Sequence, residues 1–174
     1  MKKRSKFLAM LLSTAVAVSS LTGISVFAAD KTSGEEETRT VVDATGAEVE
    51  VPAHPKRIAV QAMVLQNIVY ALQGNAVNMV SIPPAAYSGW EMSILKDLAP
   101  ELEDVDTTMV NDDFSVNVEA LADADVDLVL NWDSETDQAE QLKALGISCV
   151  LLSSAKDMYG LKNLVTMLGA ALNC

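Results

Sequence analysis

The sequence predicts an α/β fold: a parallel sheet flanked by helices, entered through an N-terminal β-hairpin. Three observations carry this. Short apolar runs such as Leu128–Leu130 have the character of strands buried on both faces. Other segments place apolar residues at helical spacing, as do Val118, Leu121 and Ala122. The two kinds alternate along the chain, and alternation of strand and helix is the signature of a parallel sheet with crossover helices.

Each element has its own signals. TVVDATGAEVEVP (residues 40–52) reads as two short strands joined by a turn at Ala44–Ala47, with Gly46 supplying the unusual backbone angle. Pro52, Pro55 and the pair Lys56-Arg57 lead into a third strand, RIAVQ. Met63–Gln73 is a helix closed by Gly74-Asn75. Val77–Ile82 is a strand stopped by Pro83-Pro84, Ser88–Leu98 is helical, and Thr107–Val110 is a short strand. Further on come a helix Glu135–Leu145 closed by Gly146, a strand Ile147–Leu152, and a last helix from about Asp157 to Leu172.

DADVD (residues 123–127) needs separate treatment, because its alternating acids open like a calcium-binding EF-hand loop. Such a loop requires Gly at its sixth position and Glu at its twelfth. Here those positions hold Leu128 and Ser134. The acids are instead expected in a polar turn between a short helix, capped by Ser115 or Asn117, and the buried strand that follows.

Composition bounds the compartment. Lys2, Lys3, Arg4 and Lys6 precede an apolar segment from about Phe7 to Val26, and Val26-Phe27-Ala28 offers a small-residue cleavage site, as in a secretory signal peptide. Of the 174 residues, cleavage leaves 146, about one domain. The net charge of −12 becomes −16, since 8 Lys+Arg then face 24 Asp+Glu. Nucleic acid is therefore excluded as an expected partner, for want of a basic patch. Residues 29–38, ADKTSGEEET, are too polar to bury a core and read as a disordered acidic linker. Cys149 and Cys174 are expected to be unpaired thiols. His54 is the only histidine, so no metal site is expected. The motifs GxGxxG, GxxxxGK[ST] and GxSxG are missing, and neither a cofactor nor catalysis is predicted.

Two stretches carry a resemblance. TVVDATGAEVEVPAHPKRIAV resembles the opening of bacterial solute-binding proteins that deliver iron–siderophore, haem or cobalamin to ABC importers. VNVEALADADVDLVLNW is similar to a second hallmark of that family, a Glu-bearing helix before a Pro-Asp-Leu-Val strand, with Val126 in place of the proline. The likeness spans about Thr40 to Cys174. It implies a two-lobed fold of which residues 39–156 form the N-terminal lobe and residues 157–174 the truncated start of the connecting helix, the second lobe being absent. It further implies that Glu119 docks on an arginine of the membrane permease. The residues alone read Glu119 as a first-turn acid favoured by the helix dipole.

Ligand contacts are expected from loops at the carboxyl ends of the strands, where open α/β sheets bind ligands. These are Gln61–Met63, Pro83–Trp90, Asn111–Phe114 and Asn131–Asp133, with Met63, Tyr87, Trp90, Asn131 and Trp132 as candidates. None of them contains Lys or Arg. A strongly anionic chelate would call for a cation, so haem, a corrinoid or a weakly charged hydroxamate chelate fits better. The competing reading is a secreted single-domain module for protein interaction; an enzyme ranks third.

Overall fold

The computed structural model describes residues 37–111 and 115–174. The signal segment and nearly all of the acidic linker lie outside the described residues. Order is already present at Thr38, one residue inside the stretch assigned to the linker.

Strands β1 (Thr38–Val42) and β2 (Glu48–Pro52) pair antiparallel, with Val41 opposite Val49. Their turn is built by Asp43. Its Oδ1 accepts from the Thr45 N–H (2.8 Å), the Thr45 hydroxyl (2.6 Å) and the Ala47 N–H (3.1 Å), while Gly46 takes φ +84°. A side chain at Gly46 would be strained by that angle.

The main sheet holds β3 (Ile58–Val60), β4 (Met79–Ser81), β5 (Leu128–Trp132) and β6 (Ser148–Leu152), all parallel, in the order β4-β3-β5-β6. Side chains alternate across it. Ile58, Val60, Leu128, Leu130, Val150 and Leu152 enter one core, whereas Ala59, Val129, Cys149 and Leu151 enter the other. This is why the strands read as unbroken apolar runs.

Helices cover both faces. On the first lie α1 (Leu65–Gln73), α2 (Pro84–Glu91) and α6 (Met158–Leu172), through Leu65, Val69, Trp90, Leu164 and Leu168. The short α3 (Leu95–Leu98) follows α2. On the second lie α4 (Val118–Asp123) and α5 (Thr136–Ala144), through Leu121 and Leu142. The hairpin joins the first core through Val41 and Val51. It is tied to β6 by the Ala44 N–H donating to Leu151 O (2.9 Å) and the Ser148 hydroxyl donating to Glu50 O (2.7 Å). Arg39 donates through Nη1 to Ala170 O and through Nη2 to Ala171 O (2.7 Å), and Asn173 Nδ2 donates to Ala53 O (2.9 Å). Hairpin and last helix are thus clamped together.

Three expectations are corrected. The helix expected at Ser88–Leu98 starts at Pro84, because proline suits the first helical position. It ends at Glu91, where the Ser93 hydroxyl donates to Trp90 O and accepts from the Leu95 N–H, starting α3 afresh. Thr107–Val110 is no strand. Its neighbourhood shows only isolated bridges, Ser81 with Asp106 and Val110 with Val116. Helix α1 begins two residues later than Met63, and Gly74 caps it as expected, at φ +73° with its N–H on Tyr70 O (2.7 Å).

DADVD forms the expected polar turn and does more. Asn117, of the two proposed caps, accepts from the Ala120 N–H (3.1 Å). Asp123 ends α4, and Asp125 takes a left-handed φ of +51°. Asp127 accepts from the Lys56 N–H (2.8 Å) and the Arg57 N–H (3.1 Å), and Arg57 Nε donates to Ala124 O (2.6 Å). The turn therefore fastens β5 to the chain entering β3. Among the described residues no group of three His, Cys, Asp or Glu is placed to hold a metal, and no helix is long and apolar enough to cross a membrane.

Candidate ligand-binding rim

Parallel strands end together, so the segments leaving β3, β4, β5 and β6 share one end of the sheet. That rim holds most of the candidates, and it treats them differently. Met63, just past β3, is 47% exposed. Trp132, the last residue of β5, is half-buried against the first core. Tyr87 is half-buried, its hydroxyl donating to Glu103 O (3.3 Å). Asn131 is only 3% exposed, and its Oδ1 accepts from the Trp132 N–H (2.8 Å).

Trp90 is placed in the core and not on the rim. It is 2% exposed, its Nε1 donates to Ala99 O (3.0 Å), and Tyr87 packs at a ring-centroid distance of 5.1 Å. Pro84 is the reason: starting the helix at residue 84 turns residue 90 inward, nearly two turns below the strand end. Lys96 reaches back over the same indole at 5.6 Å. It lies outside the loop that brings Trp90, so a loop-by-loop tally of cations misses it.

The rim also carries residues that the sequence reasoning passed over. Val64 stands exposed beside Met63. Met158 (76% exposed) and Tyr159 (81% exposed) open α6 just past the end of β6, behind Asp157, whose Oδ1 accepts from the Gly160 N–H (2.8 Å). Their position directly after a strand, at a helix start, was the available signal. Of the Asn111–Phe114 loop, residues 112–114 lie outside the described residues. Glu119 is exposed in the first turn of α4. Because α4 leads back to the start of β5, that turn faces the same end of the sheet as the rim. Neither cysteine is bonded: Cys174 is exposed, and burial first, with the Asp43 charge second, pushes the Cys149 thiol up to about 12.

The described residues thus form a parallel sheet with a partly apolar rim at the carboxyl ends of its strands. The chain belongs to the periplasmic binding protein family, whose profile matches residues 65–174. Among solved structures it is similar to the periplasmic solute-binding protein of Veillonella parvula, at 35% identity and a TM-score of 0.75, covering 79% of this chain and 41% of that one. It also shares its fold with the molybdate periplasmic binding protein MolA of Haemophilus influenzae (18% identity, TM-score 0.62, 78% of this chain and 46% of that one). Helicobacter pylori CeuE, in a Ni-His complex, is a third (22% identity, TM-score 0.63, 79% and 43%). The chain spans less than half the length of each of these structures. No curated protein matches it. The family name places its members on the outer side of the cytoplasmic membrane.

Proposed function

We propose that this chain is the N-terminal lobe of the extracytoplasmic solute-binding component of an ABC importer, taking a metal chelate or macrocycle of the iron–siderophore, haem or cobalamin type. The observation that carries the reading is the 35% identity, over 79% of the chain, to a periplasmic solute-binding protein, at a TM-score of 0.75. On this reading residues 1–28 direct export and are removed, and Met63, Tyr87, Asn131 and Trp132 meet the ligand opposite a second lobe. Trp90 supports Tyr87 from below. Glu119, exposed beside the rim, pairs with a permease arginine.

Uptake assays test it. Cells lacking the gene should take up less radiolabelled haem, cobalamin or ferric hydroxamate, and the gene should restore uptake. Glu119→Arg, placed in the complete transport protein, should abolish uptake while ligand affinity is unchanged. Uptake indifferent to gene loss for every one of these ligands would refute the transport role. Normal uptake by Glu119→Arg would return Glu119 to a helix-dipole role worth ~0.3–1 kcal/mol.

A further inference from the structure

The end of the sheet holds a polar pair that the fold does not satisfy. Gln61 follows β3 and its N–H donates to Leu130 O (2.9 Å), which sets it beside Asn131 in the β3–β5 register. By alternation both side chains share the face of Ala59 and Val129. Gln61 is 2% exposed and Asn131 3%. Yet Gln61 Oε1, Gln61 Nε2 and Asn131 Nδ2 have no hydrogen-bond partner among the described residues, although buried polar atoms are normally paired. The pair sits at the sheet end that carries Met63 and Trp132.

We infer that Gln61 and Asn131 form a neutral reading site that takes an amide group of the transported ligand, a proposal that rests on the binding-protein reading above. The three orphaned atoms are one acceptor and two donors. A ligand amide matches all three: its carbonyl accepts from Gln61 Nε2 and Asn131 Nδ2, and its N–H donates to Gln61 Oε1. A carboxylate would satisfy the two donors but set its charge against Oε1, and an ammonium would do the reverse. Gln61 has three side-chain bonds about which its amide turns toward the rim. Asn131 is held by its bond to the Trp132 N–H, and the same turn of Gln61 uncovers its Nδ2 for the ligand. Preference should therefore run toward neutral, carboxamide-bearing ligands over carboxylate-bearing ones.

Equilibrium dialysis of the complete transport protein, with this chain as its N-terminal lobe, against cyanocobalamin, a neutral ring bearing carboxamides, and haemin, a ring bearing carboxylates, tests this. Thermal melts of the same samples run alongside. The wild type should retain cyanocobalamin more tightly than haemin. Gln61→Met should weaken cyanocobalamin at least tenfold, leave haemin unchanged, and melt no lower than wild type, because an apolar chain of similar shape replaces two unpaired atoms. Gln61→Glu, which keeps size and polarity, should lose cyanocobalamin likewise. Unchanged cyanocobalamin affinity in both variants overturns the proposal. With a lowered melting temperature, that result assigns the orphaned atoms to a trapped water, which fits the same three partners. Tighter binding of haemin by the wild type overturns the amide preference while leaving the binding function intact. Retention of neither compound, nor of ferrichrome, overturns the proposal and counts against the function itself.

Discussion

Replacing Asp127 by alanine should separate one acid of DADVD from its two neighbours. Asp127 holds the backbone N–H groups of Lys56 and Arg57 at 2.8 and 3.1 Å and so joins the start of β3 to the start of β5. Hydrogen bonds to a charged group contribute ~1.5–3 kcal/mol each, and the half-exposed position of Asp127 favours the low end. Loss of both should cost about 3 kcal/mol, or about 9 °C of melting temperature at roughly 3 °C per kcal/mol for a domain of this size. Asp123→Ala removes an exposed acid from the C-terminus of α4, where it opposes the dipole, and should be neutral or stabilising by up to ~0.5 kcal/mol. Urea and thermal unfolding of the two variants give the comparison directly. Equal, small effects would show that the clamp contributes nothing. A melting temperature raised by millimolar calcium in the wild type, and not in Asp127→Ala, would restore the metal reading that the spacing first suggests.

Two further outcomes are expected. Arg39→Met removes both donors from the carbonyls of Ala170 and Ala171, and should cost about 1–3 kcal/mol and speed amide exchange in the last turn of α6; unchanged exchange there would refute the clamp. At pH 8 a thiol reagent should label Cys174 and spare Cys149. Because the folded thiol titrates near 12 and the unfolded one near 9.0, its contribution is intact below pH 9 and is lost as pH rises toward 12, where the unfolded chain sheds that proton first. Cys149→Ala should flatten that part of the alkaline stability curve, and an unaltered curve would contradict the assignment.

The parts of the fold that could be read from sequence were those decided locally. The hairpin turn follows from Asp43 and Gly46, the end of α1 from Gly74, and β5 from an apolar run that must be covered on both faces. What escaped was decided by direction or by distant partners. Pro83-Pro84 reads equally as the end of a strand or the start of a helix, and the second sense turned Trp90 from rim to core. Asp127 looked like a turn residue because its partners, Lys56 and Arg57, lie about seventy positions away. Gln61 was visible only as a member of a loop. That its amide is enclosed without a partner among the described residues follows from packing, which no local pattern reports.

The clamp between hairpin and last helix also bears on the order in which the lobe is made. Arg39 reaches carbonyls 131 and 132 residues further along, and Val41 and Val51 share a core with Leu164 and Leu168. Closing loops of that length carries an entropic cost that local contacts cannot offset early, so folding dominated by such contacts is slow. The hairpin leaves the ribosome before the other described elements, yet its bonds to β6 and α6 cannot form until those elements have followed. A chain built this way gains its final shape only after its last strand and helix have been made. The first of the described elements to be synthesised is thus among the last to be secured.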